Sequence, residues 1–160
     1  PVPIYLHGTS KYRFLADKVE RYHRENKPLF IFVPSVNQAE SLYRVLAVNE
    51  AKGTYVTSKR PDRESVISDF REGKYDYLVT TAILERGVTV KNLNVIVFGA
   101  AAPIYDAASL VQIAGRAGRK NDAPHGDVYF VADRETSAIR KAISEIRYCN
   151  TFLLRLSEQN

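Results

Sequence analysis

The segment Gln112-Ile-Ala-Gly115-Arg116-Ala-Gly118-Arg119 carries the residues best suited to chemistry. Arg116 and Arg119 are three apart, so at helical spacing they would project from one face. Their guanidiniums are permanently charged planar forks that match phosphate oxygens. Gly115 and Gly118 permit close approach to another surface, and the apolar residues from Leu110 to Ile113 could anchor the forks on a core. The plainer alternative is a helix C-terminus capped at Gly118, with Arg119-Lys120 placed favourably near the dipole. A second segment, Thr80-Thr81-Ala-Ile-Leu-Glu85-Arg86-Gly87-Val88-Thr89-Val90, ends an apolar run in two hydroxyls. Such hydroxyls, with nearby backbone N–H groups, can hold backbone phosphates. Gly87 would let the chain pass close to a ligand or adopt a positive φ. An ordinary strand–turn connection whose threonines cap a short helix would also account for this stretch.

No phosphate-binding loop accompanies these residues. The one Gly-Lys pair, Gly73-Lys74, has Ser68 where the first glycine of G-x-x-x-x-G-K-[ST] belongs and Tyr75 after it. No Asp-Glu dipeptide follows a strand, so the usual magnesium-holding pair is missing too. This chain is not expected to hold MgATP in the P-loop manner by itself. A lone cysteine, Cys149, and three scattered histidines, His7, His23 and His125, give no set of metal ligands, and no metal site is expected. Cys149 is expected to pack. The histidines are expected to be surface or capping residues.

These residues must be positioned by alternating strands and helices. Leu29–Val33, between Pro28 and Pro34, reads as a buried strand, with Asn37 and Glu40 capping the helix after it. Thr54–Thr57 is the next strand, and Pro61 opens a helix that Gly73 ends. Tyr75–Thr81, Val95–Gly99 and Asp127–Ala132 are further strands, and Asp106 starts the helix leading into Gln112. Ser10–Asn26, with Phe14, Leu15, Val19 and Tyr22 on one face, is an amphipathic helix. A final helical stretch runs from Glu135 to about Leu156, in one piece or in two around Cys149-Asn150. Strands separated by helices predict βαβ units, a mostly parallel sheet, and ligands beyond its carboxyl edge. Ser35, Ser58, Thr80, Thr81, Ala100–Pro103 and Asp133 fall at that edge. Lys59, Arg60 and Arg63 lie there too, and could contact phosphates. Tyr75 and Tyr77 alternate at a strand start, which favours packing over base stacking.

The 160 residues suffice for one domain with a hydrophobic core, and the composition is that of a globular protein, 45% hydrophobic and 26% charged. The apolar runs Pro28–Pro34 and Asn94–Pro103 are too short to span a bilayer. No charged stretch followed by an apolar one opens the chain, so nothing in it argues for secretion. A net charge of +5 and a pI near 9.3 suit a polyanionic partner, although charge alone says nothing of fold.

In order and spacing, the chain resembles the C-terminal helicase lobe of superfamily 2. Leu29–Val36 is similar to motif IV, Asp69–Gly73 to the F-x-x-G stretch, Thr80–Val90 to motif V and Gln112–Arg119 to motif VI. The resemblance covers Lys27 to Val131. It implies a RecA-like three-layer α/β/α domain over residues 1–160, with 1–26 a leading helical segment and 135–160 a closing one. It implies Arg119 as an arginine finger and Arg116 as a second phosphate contact, with Gln112 orienting motif VI near the γ-phosphate and Gly115 among the cofactor-binding residues. Gly87 would approach the nucleotide, and Ser35, Ser58, Thr80 and Thr81 would touch the nucleic-acid backbone. Thr89 departs from the DEAD-box pattern, where an aspartate two residues after the motif V glycine contacts ribose. ATP and Mg2+ would be held mainly by an N-terminal RecA-like lobe of the same protein, leaving the isolated chain inactive.

Within the superfamily, Ile83–Thr89 and Leu110–Lys120 look most like the late-competence helicase-like family of transformable bacteria. That likeness implies a single-stranded DNA translocase of DNA uptake, cytoplasmic or peripheral at the inner face of the membrane, partnered there by other uptake proteins. ATP would be its one small-molecule substrate. The alternatives are a lobe of a replication-restart helicase, of an RNA-remodelling ATPase, or a nucleic-acid-binding module without motor function. The restart helicase carries a cysteine-rich zinc insertion near this lobe, of which this sequence has no trace.

Overall fold

The computed structural model describes residues 1–81, 90–117 and 126–158, without the side chains of 152–154 and 157–158. Six strands form one sheet: β1 (Val2–Tyr5), β2 (Leu29–Phe32), β3 (Gly53–Val56), β4 (Tyr77–Thr80), β5 (Asn94–Phe98) and β6 (Val128–Ala132). The spatial order is β1-β6-β5-β2-β4-β3, and all five pairings are parallel. Parallel strands need crossovers, and helices α1 (Ser10–Arg24), α2 (Val36–Leu46), α3 (Arg63–Arg71), α4 (Ala107–Ala114) and α5 (Ser137–Glu158) cover both faces.

Strand alternation divides the core into two halves. Phe30, Phe32, Leu78, Val95, Val97 and Phe130 point to the face covered by α3, α4 and α5. Leu29, Ile31, Val33, Val79, Ile96, Phe98 and Val131 point to the face of α1 and α2. Every residue of β2, β4 and β5 is buried, which is why these strands read as continuous apolar runs. The result is the three-layer α/β/α arrangement that the alternation predicts.

Several local expectations change. The leading segment is not helical throughout: Val2–Tyr5 is an edge strand registered on Tyr129–Ala132. Pro3 disguises it, since proline cannot donate to a second neighbour, which suits an edge. Helix α2 is capped by Ser35 rather than Asn37; the Ser35 hydroxyl accepts the Gln38 N–H at 3.2 Å. Helix α5 is continuous through Cys149, and that thiol is exposed rather than packed, because burial along α5 ends near Ile143 and Ile146. Gly73 ends α3 as expected, in a left-handed conformation with the Lys74 N–H bonded to the Asp69 carbonyl at 2.9 Å.

Candidate functional site

Because all six strands are parallel, their carboxyl ends share one edge. Beyond three adjacent strands, β2, β4 and β3, stand Ser35, Thr81 and Ser58 in that spatial order. Ser35 and Ser58 are exposed. Thr80 is only 1% exposed and its hydroxyl turns to the Thr81 carbonyl at 3.4 Å; Thr81 is buried as well. The sheet edge thus brings the four predicted backbone contacts into one row, but only the two serines present side chains at the surface.

Arg60, another candidate phosphate contact, is engaged within the fold. Its guanidinium donates to both Asp62 carboxylate oxygens (2.8 and 3.1 Å), to Thr54 Oγ1 and to the Tyr55 carbonyl (both 2.7 Å), while lying over the Tyr55 ring. Asp62 holds that guanidinium more firmly protonated than usual, and Arg60 depresses the Asp62 carboxyl in return. Arg60 therefore staples β3 to the start of α3. The same pairing explains why Asp62 flanks α3 without a side-chain cap.

Helix α4 carries Gln112 and leads into Gly115 and Arg116. Asp106 caps it, accepting the Ser109 N–H at 2.8 Å, and this bond holds the Asp106 carboxyl below the usual carboxylate range. Leu110, Ile113 and Ala114 are buried against the core, leaving Gln112 exposed on the outer face. The helix ends at Ala114, earlier than the spacing argument for Arg116 and Arg119 requires. Gly115, Arg116 and Ala117 form a tight turn in which the Arg116 and Ala117 N–H groups bond three residues back, to Ile113 and Ala114, at 3.1 and 3.2 Å. Gly115 keeps an ordinary helical φ of −65°. Arg116 is therefore presented from a turn, half-buried, rather than from a helix face. Gly87, Thr89, Gly118, Arg119 and His125 lie outside the described residues.

The β2–α2 connection, Val33-Pro34-Ser35, is three residues long and contains a proline without an N–H. It cannot wrap a phosphate chain in backbone donors as a glycine-rich loop does. Gln112, exposed, and Arg116, half-buried, stand on either side of Gly115 at the end of α4.

Two further features escape the residue-by-residue reading. His23 Nδ1 lies 2.9 Å from Asp76 Oδ2, and the same carboxylate oxygen accepts the Lys52 N–H at 2.8 Å. These contacts tie α1 and the approach to β3 onto β4 at the opposite, amino edge. At the carboxyl edge, Tyr12 of α1 meets Phe98 of β5 with ring centroids 5.4 Å apart. No sequence signal joins residues so distant along the chain.

The helicase conserved C-terminal domain family matches residues 10–121. Among curated proteins, the chain is 36% identical to competence protein ComFA of Streptococcus pneumoniae over 94% of its own length, and 36% identical to ComFA of Bacillus subtilis over 82%. It spans 37% and 28% of those two relatives. UvrABC system protein B of Mycoplasma genitalium is 31% identical over 83% of the chain and 21% of that protein. Among solved structures, Dbp5 of S. cerevisiae bound to RNA and ADP BeF3 superposes with a TM-score of 0.71 at 20% identity, covering 92% of this chain and 38% of that one. The helicase domain of Pyrococcus furiosus Hef gives 0.63 at 20% identity, over 84% and 28%. These structures share the RecA-like fold with this chain. The chain belongs to the helicase conserved C-terminal domain family and has that family's RecA-like fold.

Proposed function

We propose that this chain is the second motor lobe of an ATP-driven single-stranded DNA translocase that works in DNA uptake during competence. The observation that carries this reading is the placement of motif VI. Gln112 stands near the end of a helix anchored on the core and Arg116 in the turn that follows it, in a chain whose sequence carries no G-x-x-x-x-G-K-[ST] phosphate loop. ATP and Mg2+ are then held mainly by an N-terminal RecA-like lobe, and the triphosphate supplies the transferable phosphoryl group. Arg116 and Arg119 reach it from this side as charged forks, Gln112 orients them, and Gly115 and Gly87 allow the close approach. Charge developing on the phosphoryl oxygens is stabilised by donors fixed in advance. Ser35 and Ser58, with the backbone around Thr80 and Thr81, form this lobe's part of the strand track. Similarity to the competence protein ComFA supports the uptake role; a station at the inner face of the cell membrane, beside other uptake proteins, is part of the same proposal.

The test is Arg119→Ala and Arg116→Ala in the full-length protein. Hydrolysis should fall by roughly 10³–10⁵ for the finger, with ATP binding largely spared, and the isolated chain should show no ATPase. Normal turnover in Arg119→Ala would overturn the finger assignment. Comparing single-stranded DNA with RNA as stimulators separates DNA translocation from RNA remodelling.

A further inference from the structure

A groove of about 360 Å3 opens at the carboxyl edge between β2 and β5, within the size range of small-ligand pockets (roughly 300–1,000 Å3). Its position follows from topology. Strand β2 leads into α2 on one face of the sheet and β5 leads into α4 on the other, so a crevice is left between neighbouring strand ends. In open α/β sheets such a switch point is where ligands bind.

The groove is not the nucleotide-facing side. Its side walls come from α1 and α2 and its floor from the ends of β2, β5 and β6 with the start of the β5–α4 connection, whereas α4, with Gln112, packs on the other face of the sheet. Its chemistry is mixed in an informative way. Tyr12, 41% exposed, leans on Phe98, and Val45, 51% exposed, faces the same space. The Lys11 ammonium lies 5.4 Å from the Tyr12 ring centre and 6.0 Å from that of Phe98. Arg134 stands at the rim with Asp133, its partner at 3.3 Å, so the lining carries a net positive charge. Pro34 and Gln38, also in the lining, flank Ser35, which makes the groove continuous with the row of hydroxyls along the edge.

A flat aromatic face beside cations, at the margin of a polyanion track, matches one ligand best: a base whose own phosphates lie on those cations. We infer that this groove is a base-stacking site, in which Tyr12 receives a nucleobase of the translocated strand while Lys11 and Arg134 contact its backbone. The inference rests on the strand-track reading above and deepens it. The track then grips the strand by a base as well as by phosphates, without sequence preference, because every base has a π-face.

The experiment compares a single-stranded oligonucleotide with a fully abasic strand of the same length, bound to the full-length protein at fixed salt. The intact protein should bind the base-bearing strand about five- to a hundredfold more tightly. Tyr12→Ala should remove that difference while leaving abasic binding unchanged, and Tyr12→Phe should restore it, with thermal melting confirming that both variants fold. If intact protein binds both strands equally, or Tyr12→Ala weakens both alike, the base site is wrong while the phosphate track stands. If Tyr12→Ala changes nothing, the groove does not hold a base and is open to a protein partner instead. If neither strand binds, the nucleic-acid reading and the base site fall together.

Discussion

Gly53 begins β3, directly opposite Tyr77 in the parallel register with β4. A Cβ built on Gly53 would fall inside the Tyr77 ring. The ring covers the glycine as a lid, a known way of supporting glycine in a strand. Gly53→Ala is therefore a steric test of the β3–β4 packing. Tyr77 is 1% exposed and packed in the α1–α2 half of the core, so it has little room to withdraw. Overpacking of this kind costs about 1–3 kcal/mol. Against it, alanine restricts the unfolded chain, which contributes about 0.4–1 kcal/mol where the native φ is accessible to it. Gly53 has no positive φ, so that gain applies. The net expectation is a loss of about 1–2 kcal/mol, or about 2–8 °C in Tm for a domain of this size. Thermal melting followed by circular dichroism, with urea denaturation of the same samples, reads it directly. The control is the same substitution in a Tyr77→Leu background, where the penalty should vanish because the colliding ring is gone. An unchanged or raised Tm for Gly53→Ala in the native background would refute the packing argument.

Two other outcomes follow from the same geometry. Ser35 both caps α2 and stands on the proposed strand track, and substitution separates the roles: Ser35→Ala should cost about 1 kcal/mol of stability, whereas Ser35→Asp should keep the cap and weaken single-stranded DNA binding by charge repulsion. Equal strand affinity for Ser35→Asp and wild type would remove Ser35 from the track. Burial raises the phenols of Tyr22, Tyr77 and Tyr105, that of Tyr77 to about 12, and Tyr22 is raised further by its 2.7 Å bond to Asp127. Groups raised in the fold stabilise it fully below their ordinary value near 10 and lose that contribution as pH rises through the folded values. Alkaline unfolding should therefore begin above about pH 10, with these phenols ionising only as the fold opens. Tyrosinate absorbance that rises in one ordinary step while the circular dichroism stays native would contradict this.

What was legible in the sequence was local. The motif series reads directly because each motif is a short run, and the buried strands β2, β4 and β5 announce themselves as apolar stretches with no polar face. Misreadings arose where a residue's partner is set by three-dimensional placement. Arg60 reads as available for phosphate, but Thr54, Tyr55 and Asp62 take four of its five N–H donors. Ser35 and Asn37 are both good caps, and only the start of α2 at Val36 chooses between them. Thr80 has the right chemistry for a strand contact, but its side chain is enclosed at the strand end. Arg116 was placed by helical arithmetic, yet the helix stops two residues before it. Part of the Tyr12–Phe98 groove was legible, since Ala100–Pro103 and Asp133 fall just after strands; its walls on α1 and α2 were not, because strand order creates the crevice and strand order is not written in any window of sequence.

Strand β5 shows how the two functional surfaces are joined. Val95 and Val97 face the core under α4, while Ile96 and Phe98 face α1 and α2, where Phe98 lines the groove. Alternate side chains of one five-residue strand thus support motif VI on one side of the sheet and the proposed base site on the other. Both halves of the core are fully buried around it, and interiors packed to that degree transmit displacement rather than absorb it. In the proposed motor, a pull on Arg116 from a nucleotide held by the other lobe cannot be taken up by sliding α4 over a fixed sheet. On that packing argument, the serines and the groove at the carboxyl edge move with α4 as one body.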